Sequence, residues 1–262
     1  MRSVQRHGCV MAAWRPVWRA ALPMPRILAD ASQGILTQRM YSDQSRGDTT
    51  VPTSLDAQLR EWQIAKPLRS ALQGTPFHFS QLTDVQNRVL SLLPAIAEGA
   101  NVLPDGKSRD VLCKARTGTG KTVAFLVPAI QARIHAVQQL EQGHASPSFR
   151  AFLERNGLLS LLEKRDRASV HELKRLFRRH SAGVLVVSPT RELAMQIVNE
   201  AKKLVSQAKH LYVHTLVGGV SVIPQRKQWE RYEPDIVVGT PGRLLDLMNN
   251  RSVRDAFSRT QT

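Results

Sequence analysis

The 262-residue sequence predicts an α/β fold on a parallel sheet, and three observations carry that expectation. Short apolar or β-branched runs occur at Val111–Cys113, Val184–Val187, Tyr212–Val217 and Ile236–Val238, as in strands buried on both faces. Helical spacing fills the intervals, clearest in Leu193, Ile197, Ala201, Leu204 and Val205 from Arg191 onward. A glycine-rich turn, Ala115-Arg-Thr-Gly-Thr-Gly-Lys121-Thr122, follows the first run and precedes a helical stretch. Strand, helix, strand, helix places successive strands parallel. No internal repeat interrupts this order.

The chain begins differently. From Met1 to Ala29 there are five arginines (Arg2, Arg6, Arg15, Arg19 and Arg26), no lysine and no acid. Trp14 and Trp18 are four apart, as are Arg15 and Arg19, so a helix here carries an aromatic stripe beside a basic one. That is the pattern of a mitochondrial transit peptide, expected over residues 1–41. Arg39-Met40-Tyr41-Ser42 supplies a matrix-peptidase-like cleavage site, with the cut after Tyr41. A disordered basic arm is the competing reading. Residues 42–67 are expected to be linker, starting with a stretch rich in Ser, Asp, Gly and Thr.

Composition narrows the partners. The formal charge is +16, which points to a polyanion, nucleic acid first. No apolar run reaches the roughly 18 residues that span a bilayer, so no membrane partner is expected. Cys9 and Cys113 are the two cysteines, too few and too far apart for a disulfide framework or a zinc site.

The glycine-rich turn departs from the general phosphate-loop pattern only in having Ala115 first. Gly118 and Gly120 let backbone N–H groups turn inward, Lys121 can reach the β- and γ-phosphates, and the Thr122 hydroxyl can ligate Mg2+. The following helix adds the favourable end of its dipole. This loop implies a nucleotide, but GTPases and ATPases share it. No Asn-Lys-x-Asp guanine motif accompanies it here.

Three later segments discriminate. Pro189-Thr-Arg-Glu-Leu-Ala-Met-Gln196, Gly218-Gly219 and Thr240-Pro-Gly-Arg243 each follow a predicted strand, at the edge where open α/β sheets bind ligands. In this order after a phosphate loop they resemble the DEAD-box ATP-dependent RNA helicases, over roughly Leu68 to Leu247. The likeness extends to fungal mitochondrial RNA chaperones that assist splicing. It implies a RecA-like ATP-binding domain over residues 68–262, the first helicase domain, incomplete at its C-terminal end. It also implies ATP and Mg2+ as ligands, RNA as a largely sequence-independent partner, no stable protein partner, and residence in the mitochondrial matrix.

Residue by residue, the resemblance makes Gln86 the adenine-reading glutamine, although Asp84 sits where the family has proline. It assigns Ala115, Arg116, Thr117, Gly118, Thr119, Gly120, Lys121 and Thr122 to the nucleotide, with Lys121 and Thr122 as the catalytic members. Thr190, Arg191, Gly219, Thr240, Gly242 and Arg243 are assigned to the sugar-phosphate backbone of single-stranded RNA. Short side chains and glycine amides donate to phosphate oxygens there, and arginines add charge.

One expected part is absent from these 262 residues. No Asp-Glu-Ala-Asp occurs, so the carboxylates that hold magnesium and activate water are not found, and the chain by itself is expected to be inactive. A non-catalytic ATP- and RNA-binding short form is the alternative. Sixty-six residues separate Thr122 from Pro189, and the excess, about residues 138–180, reads as a basic insert. It is expected to be a solvated surface segment, an auxiliary RNA-binding helix or a translated intron. Ser169-Val-His-Glu172 within it has the form of a capping box.

Overall fold

The computed structural model describes residues 54–97, 110–249 and 253–254. The expected leader and cleavage site lie outside them. Three parallel strands, β1 (Val184–Val187), β2 (Val213–Leu216) and β3 (Ile236–Gly239), form a sheet in the order β1-β3-β2. Val184 and Val213 both pair with Ile236, and Val187 and Leu216 both pair with Gly239. The three C-terminal ends therefore finish level. All four residues of β3 are buried, which explains why the central strand is the most uniformly apolar.

Helices cover the sheet. Thr190 caps α7 (Arg191–Leu204), its hydroxyl accepting from the Leu193 N–H at 3.2 Å. The buried stripe Ala194, Ile197, Val198, Ala201 and Leu204 joins β1, β2 and β3 in the main core. The 21-residue α4 (Lys121–Glu141) is buried along most of its length, as its near-continuous apolar sequence requires. The short α8 (Val222–Arg231) and α9 (Pro241–Met248) close a second cluster around Trp229, Val237 and Leu244.

Three expectations change. Residues 55–67, expected as linker, belong to the folded body. They form α1 (Leu55–Glu61) and enter α2 (Lys66–Gln73), with Leu59 and Leu68 fully buried. Gln131, inside α4, fixes the turn between them: its amide accepts from the Ala65 N–H at 2.8 Å and donates to the Gln63 carbonyl at 2.9 Å. A buried polar side chain satisfied at both ends specifies that junction.

Val111–Cys113 is not a strand. It is irregular, and Leu112 is 57% exposed. A three-residue run holds strand geometry only with a neighbour to pair with, and no described strand lies alongside it. Its amides should exchange much faster than those of β3, as residue-resolved hydrogen exchange would read. Protection matching Ile236–Gly239 would contradict this arrangement.

The expected insert is folded. It contributes α5 (Pro147–Arg155), a 3-10 turn (Leu159–Leu162) and α6 (Arg167–His180). Phe149, Leu153, Leu173 and Phe177 pack with Val137 and Leu140 of α4 in a separate apolar cluster. The cap differs from the expected one. Asp166 precedes α6 and accepts from the Ala168 and Ser169 N–H groups, both at 3.0 Å, while Ser169 is already the third helical residue. A carboxylate there also gains from the helix dipole.

Candidate nucleotide and nucleic-acid site

The phosphate loop begins with Ala115 and ends where Gly120 opens α4. Gly118 and Gly120 have φ of +82° and +78°, a backbone state costly for any residue with a Cβ. At Gly120 an added Cβ would also lie 2.3 Å from the Gln86 side-chain nitrogen. Both glycines are therefore needed for the loop. Gly120 offers α4 no side-chain cap, so the first-turn N–H groups of the longest helix remain available to an anion.

Two side chains brace the loop from within. Thr119 Oγ1 donates to the Arg116 carbonyl at 2.8 Å, and Lys121 Nζ donates to the Ala115 and Arg116 carbonyls at 2.7 and 2.5 Å. An ammonium has three donors, so one remains for a phosphate oxygen. Thr117 and Arg116 are exposed on the loop.

Gln86 joins this loop from α3 (Asp84–Leu90). It is 2% exposed. Its side-chain oxygen accepts from the Thr83 N–H at 3.0 Å and its nitrogen donates to the Gly120 carbonyl at 3.4 Å. Thr83 and Gln86 complete a reciprocal capping box. Thr83 Oγ1 also donates to the Thr119 carbonyl at 2.8 Å. Sequence reasoning missed Thr83, although Thr83-x-x-Gln86 is itself a capping-box signature. The amide of Gln86 keeps one N–H and one lone pair beyond these bonds, the complement of the adenine N6 and N7 edge.

Beside Thr122 an open cleft of about 620 Å3 reaches α7, lined by Gln196, Asn199, Glu200, Lys202 and Lys203. The one carboxylate in that lining, Glu200, is ion-paired to Lys203 at 2.8 Å. Among the described residues, no group of three or more His, Cys, Asp or Glu comes together that could hold a metal ion. The Thr122 hydroxyl, which lines this cleft, is the protein group that would hold a magnesium ion brought by a nucleotide.

The second set of predicted residues gathers at the level C-terminal edge of the sheet. Arg191, exposed at the start of α7, lies beside Gly219, where an added Cβ would come within 3.2 Å of its Nη1. Gly219 has φ of +76°, which favours glycine. Thr240 turns its hydroxyl away from α9 to accept the Gly218 N–H at 3.2 Å. That leaves α9 without a side-chain cap, and its first turn, with Gly242 exposed, offers N–H groups to an anion. Arg243 differs from the other five: it is 8% exposed and donates from Nη2 to the Val220 carbonyl at 2.8 Å. It braces the Gly218–Val220 loop, and its guanidinium faces inward.

A family model described as DEAD/DEAH box helicase matches residues 91–262, well over half of the chain. A Phaeosphaeria nodorum protein named ATP-dependent RNA helicase MSS116, mitochondrial, is 30% identical over 235 residues, which is 89% of this chain and 33% of that protein. DEAD-box ATP-dependent RNA helicase 25 of Oryza sativa subsp. japonica is 34% identical over 172 residues, covering 66% of this chain and 22% of its own length. The chain thus spans a third or less of these curated relatives. Among solved structures, Mss116p (NTE and C-tail double deletion) bound to ssRNA and AMP-PNP aligns with a TM-score of 0.52 at 27% identity. The alignment covers 79% of this chain and 32% of that one. The parallel α/β architecture is accordingly RecA-like, and the chain belongs to the DEAD/DEAH box helicase family, homologous to the fungal mitochondrial Mss116 DEAD-box RNA helicases.

Proposed function

We propose that this chain supplies the ATP- and RNA-binding part of an ATP-dependent RNA helicase or RNA chaperone acting in mitochondrial RNA processing. One observation carries the reading. Thr190–Arg191, Gly219 and Thr240–Gly242 converge at one sheet edge, with an uncapped helix start among them. Exposed cation, open glycine amides and hydroxyls suit a ribose-phosphate backbone, and they offer nothing that would distinguish bases. Arg243 acts indirectly, by holding the Val220 loop in place.

Residues 115–122 take the nucleotide phosphates, Lys121 and Thr122 being the members closest to the chemistry, and Gln86 selects adenine. The Thr122 hydroxyl would hold the Mg2+ that accompanies ATP. When bound, the ion would neutralise charge on the phosphates. Within these residues the role assigned is binding of ATP and RNA; no Asp-Glu-Ala-Asp occurs in them. Residues 1–41 serve as the mitochondrial leader to the matrix, a reading supported by the mitochondrial names of fungal relatives. The ATP-binding domain is assigned to residues 68–262, with the basic region 138–180 as an insert. RNA is its partner, and no stable protein partner is invoked.

Melting of the full chain tests the nucleotide reading. Ligand at about 100 times its dissociation constant stabilises the native state by roughly 2.7 kcal/mol. Mg-ATP should therefore raise the transition more than Mg-GTP. Gln86→Ala should cost about 0.5–2 kcal/mol through the lost capping box and should abolish the difference between nucleotides. Equal shifts from ATP and GTP in the unsubstituted chain would contradict adenine selection.

A further inference from the structure

The opposite edge of the sheet, where β2 and β3 begin, carries a second cluster. Arg178, in the last turn of α6, places its guanidinium 5.4 Å from the centre of the Tyr212 ring. Tyr212 stacks on Tyr232 with ring centres 5.4 Å apart and planes 23° from parallel. Arg231 lies 5.1 Å from the Tyr232 ring. Tyr212 immediately precedes β2, and its carbonyl accepts from the Asp235 and Ile236 N–H groups at 3.0 Å each. The ladder is thus bonded to the sheet through its middle.

Its charge is open. Along α6, Lys174 is paired with Glu141, and Arg175 with Glu172. The side chains of Arg178 and Arg231 make no hydrogen bond or ion pair among the described residues. Glu230, next to Arg231 in sequence, is paired with Arg226 at 3.7 Å, and Glu233, two residues beyond Arg231, acts on Arg175. Arg231 is exposed and Tyr232 is 42% exposed. A ring face fixes a guanidinium plane while leaving its N–H edge to solvent. Two such edges flanking a tyrosine pair combine phosphate donors with planes on which an unpaired base can stack.

We infer that Arg178, Tyr212, Tyr232 and Arg231 form a second binding surface for single-stranded RNA, on the sheet edge opposite Thr190, Gly219 and Thr240. The inference rests on the proposed RNA-binding function and extends it. The two surfaces are separated by the length of β2 and its flanks, roughly 20 Å at about 3.3 Å per residue. A short oligonucleotide occupies either one. A longer strand engages both, and the helical region 138–180, which supplies Arg178, has a role in RNA retention.

Fluorescence anisotropy on the full chain, with labelled oligouridylates of about 8 and about 30 nucleotides over a salt series, tests this. The short oligomer should bind at two sites per chain, and the Arg178→Gln/Arg231→Gln variant should reduce that to one. For the long oligomer, two lost phosphate contacts should flatten the log affinity against log salt slope by about 1.4. Arg231→Gln alone, at an exposed position, should flatten it by about 0.7, which keeps the test valid if the double variant melts early. Arg231→Lys should restore the slope.

Unchanged stoichiometry and slope in the double variant, with RNA binding lost in Arg191→Gln, would overturn this second surface and leave the proposed function standing. Loss only in the double variant would leave the second surface standing and remove the first. No RNA binding by the unsubstituted chain would overturn both, and equal affinity for a double-stranded RNA would overturn the single-strand assignment.

Discussion

Asp235→Ala should destabilise the fold by about 3–5 kcal/mol, the usual cost of removing one partner from a buried ion pair. Asp235 is fully buried, and its Oδ1 accepts from Arg133 Nε at 2.8 Å. Its other oxygen accepts from the Tyr212 N–H at 3.0 Å, and Arg133 Nη2 donates to the Ser181 carbonyl at 3.3 Å. The Arg133 guanidinium also sits 4.3 Å from the Phe177 ring centre. One pair therefore ties α4, α6, β2 and β3 together. Burial pushes the Arg133 pKa down and Asp235 opposes that shift, so the carboxylate is what keeps a charged guanidinium tolerable there.

The apolar pair Arg133→Met/Asp235→Leu should be far less harmful than either single change, because it strands no buried charge. Urea denaturation of the three variants, combined as a double-mutant cycle, reads this directly. A single-variant loss below about 1 kcal/mol would mean that water reaches the site.

This pair also marks a limit of the sequence. Arg133 and Asp235 are 102 positions apart, and no local pattern links an arginine inside an apolar helix to an acid at a strand start. The Arg178–Tyr212–Tyr232–Arg231 ladder is hidden for the same reason, being assembled from the ends of three elements. Signals confined to one element were legible: β1, β2 and β3 lie within or at their apolar runs, and α7 follows its 3.6-residue spacing.

Short elements misled where their context is tertiary. Leu59, Ile64 and Leu68 are too widely spaced to announce a helical stripe, yet Gln131 reaches across to order them. Ser169-x-x-Glu172 has the form of a capping box, but Asp166 three residues earlier is the better acceptor and takes the helix start. Val111–Cys113 has strand composition and no described strand beside it. In the site, the phosphate loop and the three edge segments were legible because each is contiguous. The inward turn of Arg243 was not, since it depends on the Val220 carbonyl 23 positions away.

The proposed binding of ATP stands on residues 115–122 as holders of its phosphates. Lys121 serves that loop twice, bracing the Ala115 and Arg116 carbonyls and keeping a third donor for phosphate. A hydrogen bond to a charged group contributes about 1.5–3 kcal/mol. Equilibrium titration of a fluorescent ATP analogue into the full chain with Mg2+, beside Lys121→Ala, is the most direct test. The unsubstituted chain should bind saturably and release the probe to unlabelled ATP. Lys121→Ala should bind about 10- to 150-fold more weakly, with its melting transition in the absence of nucleotide showing that it remains folded. Equal affinity in a folded Lys121→Ala chain would contradict the assignment of the phosphate loop.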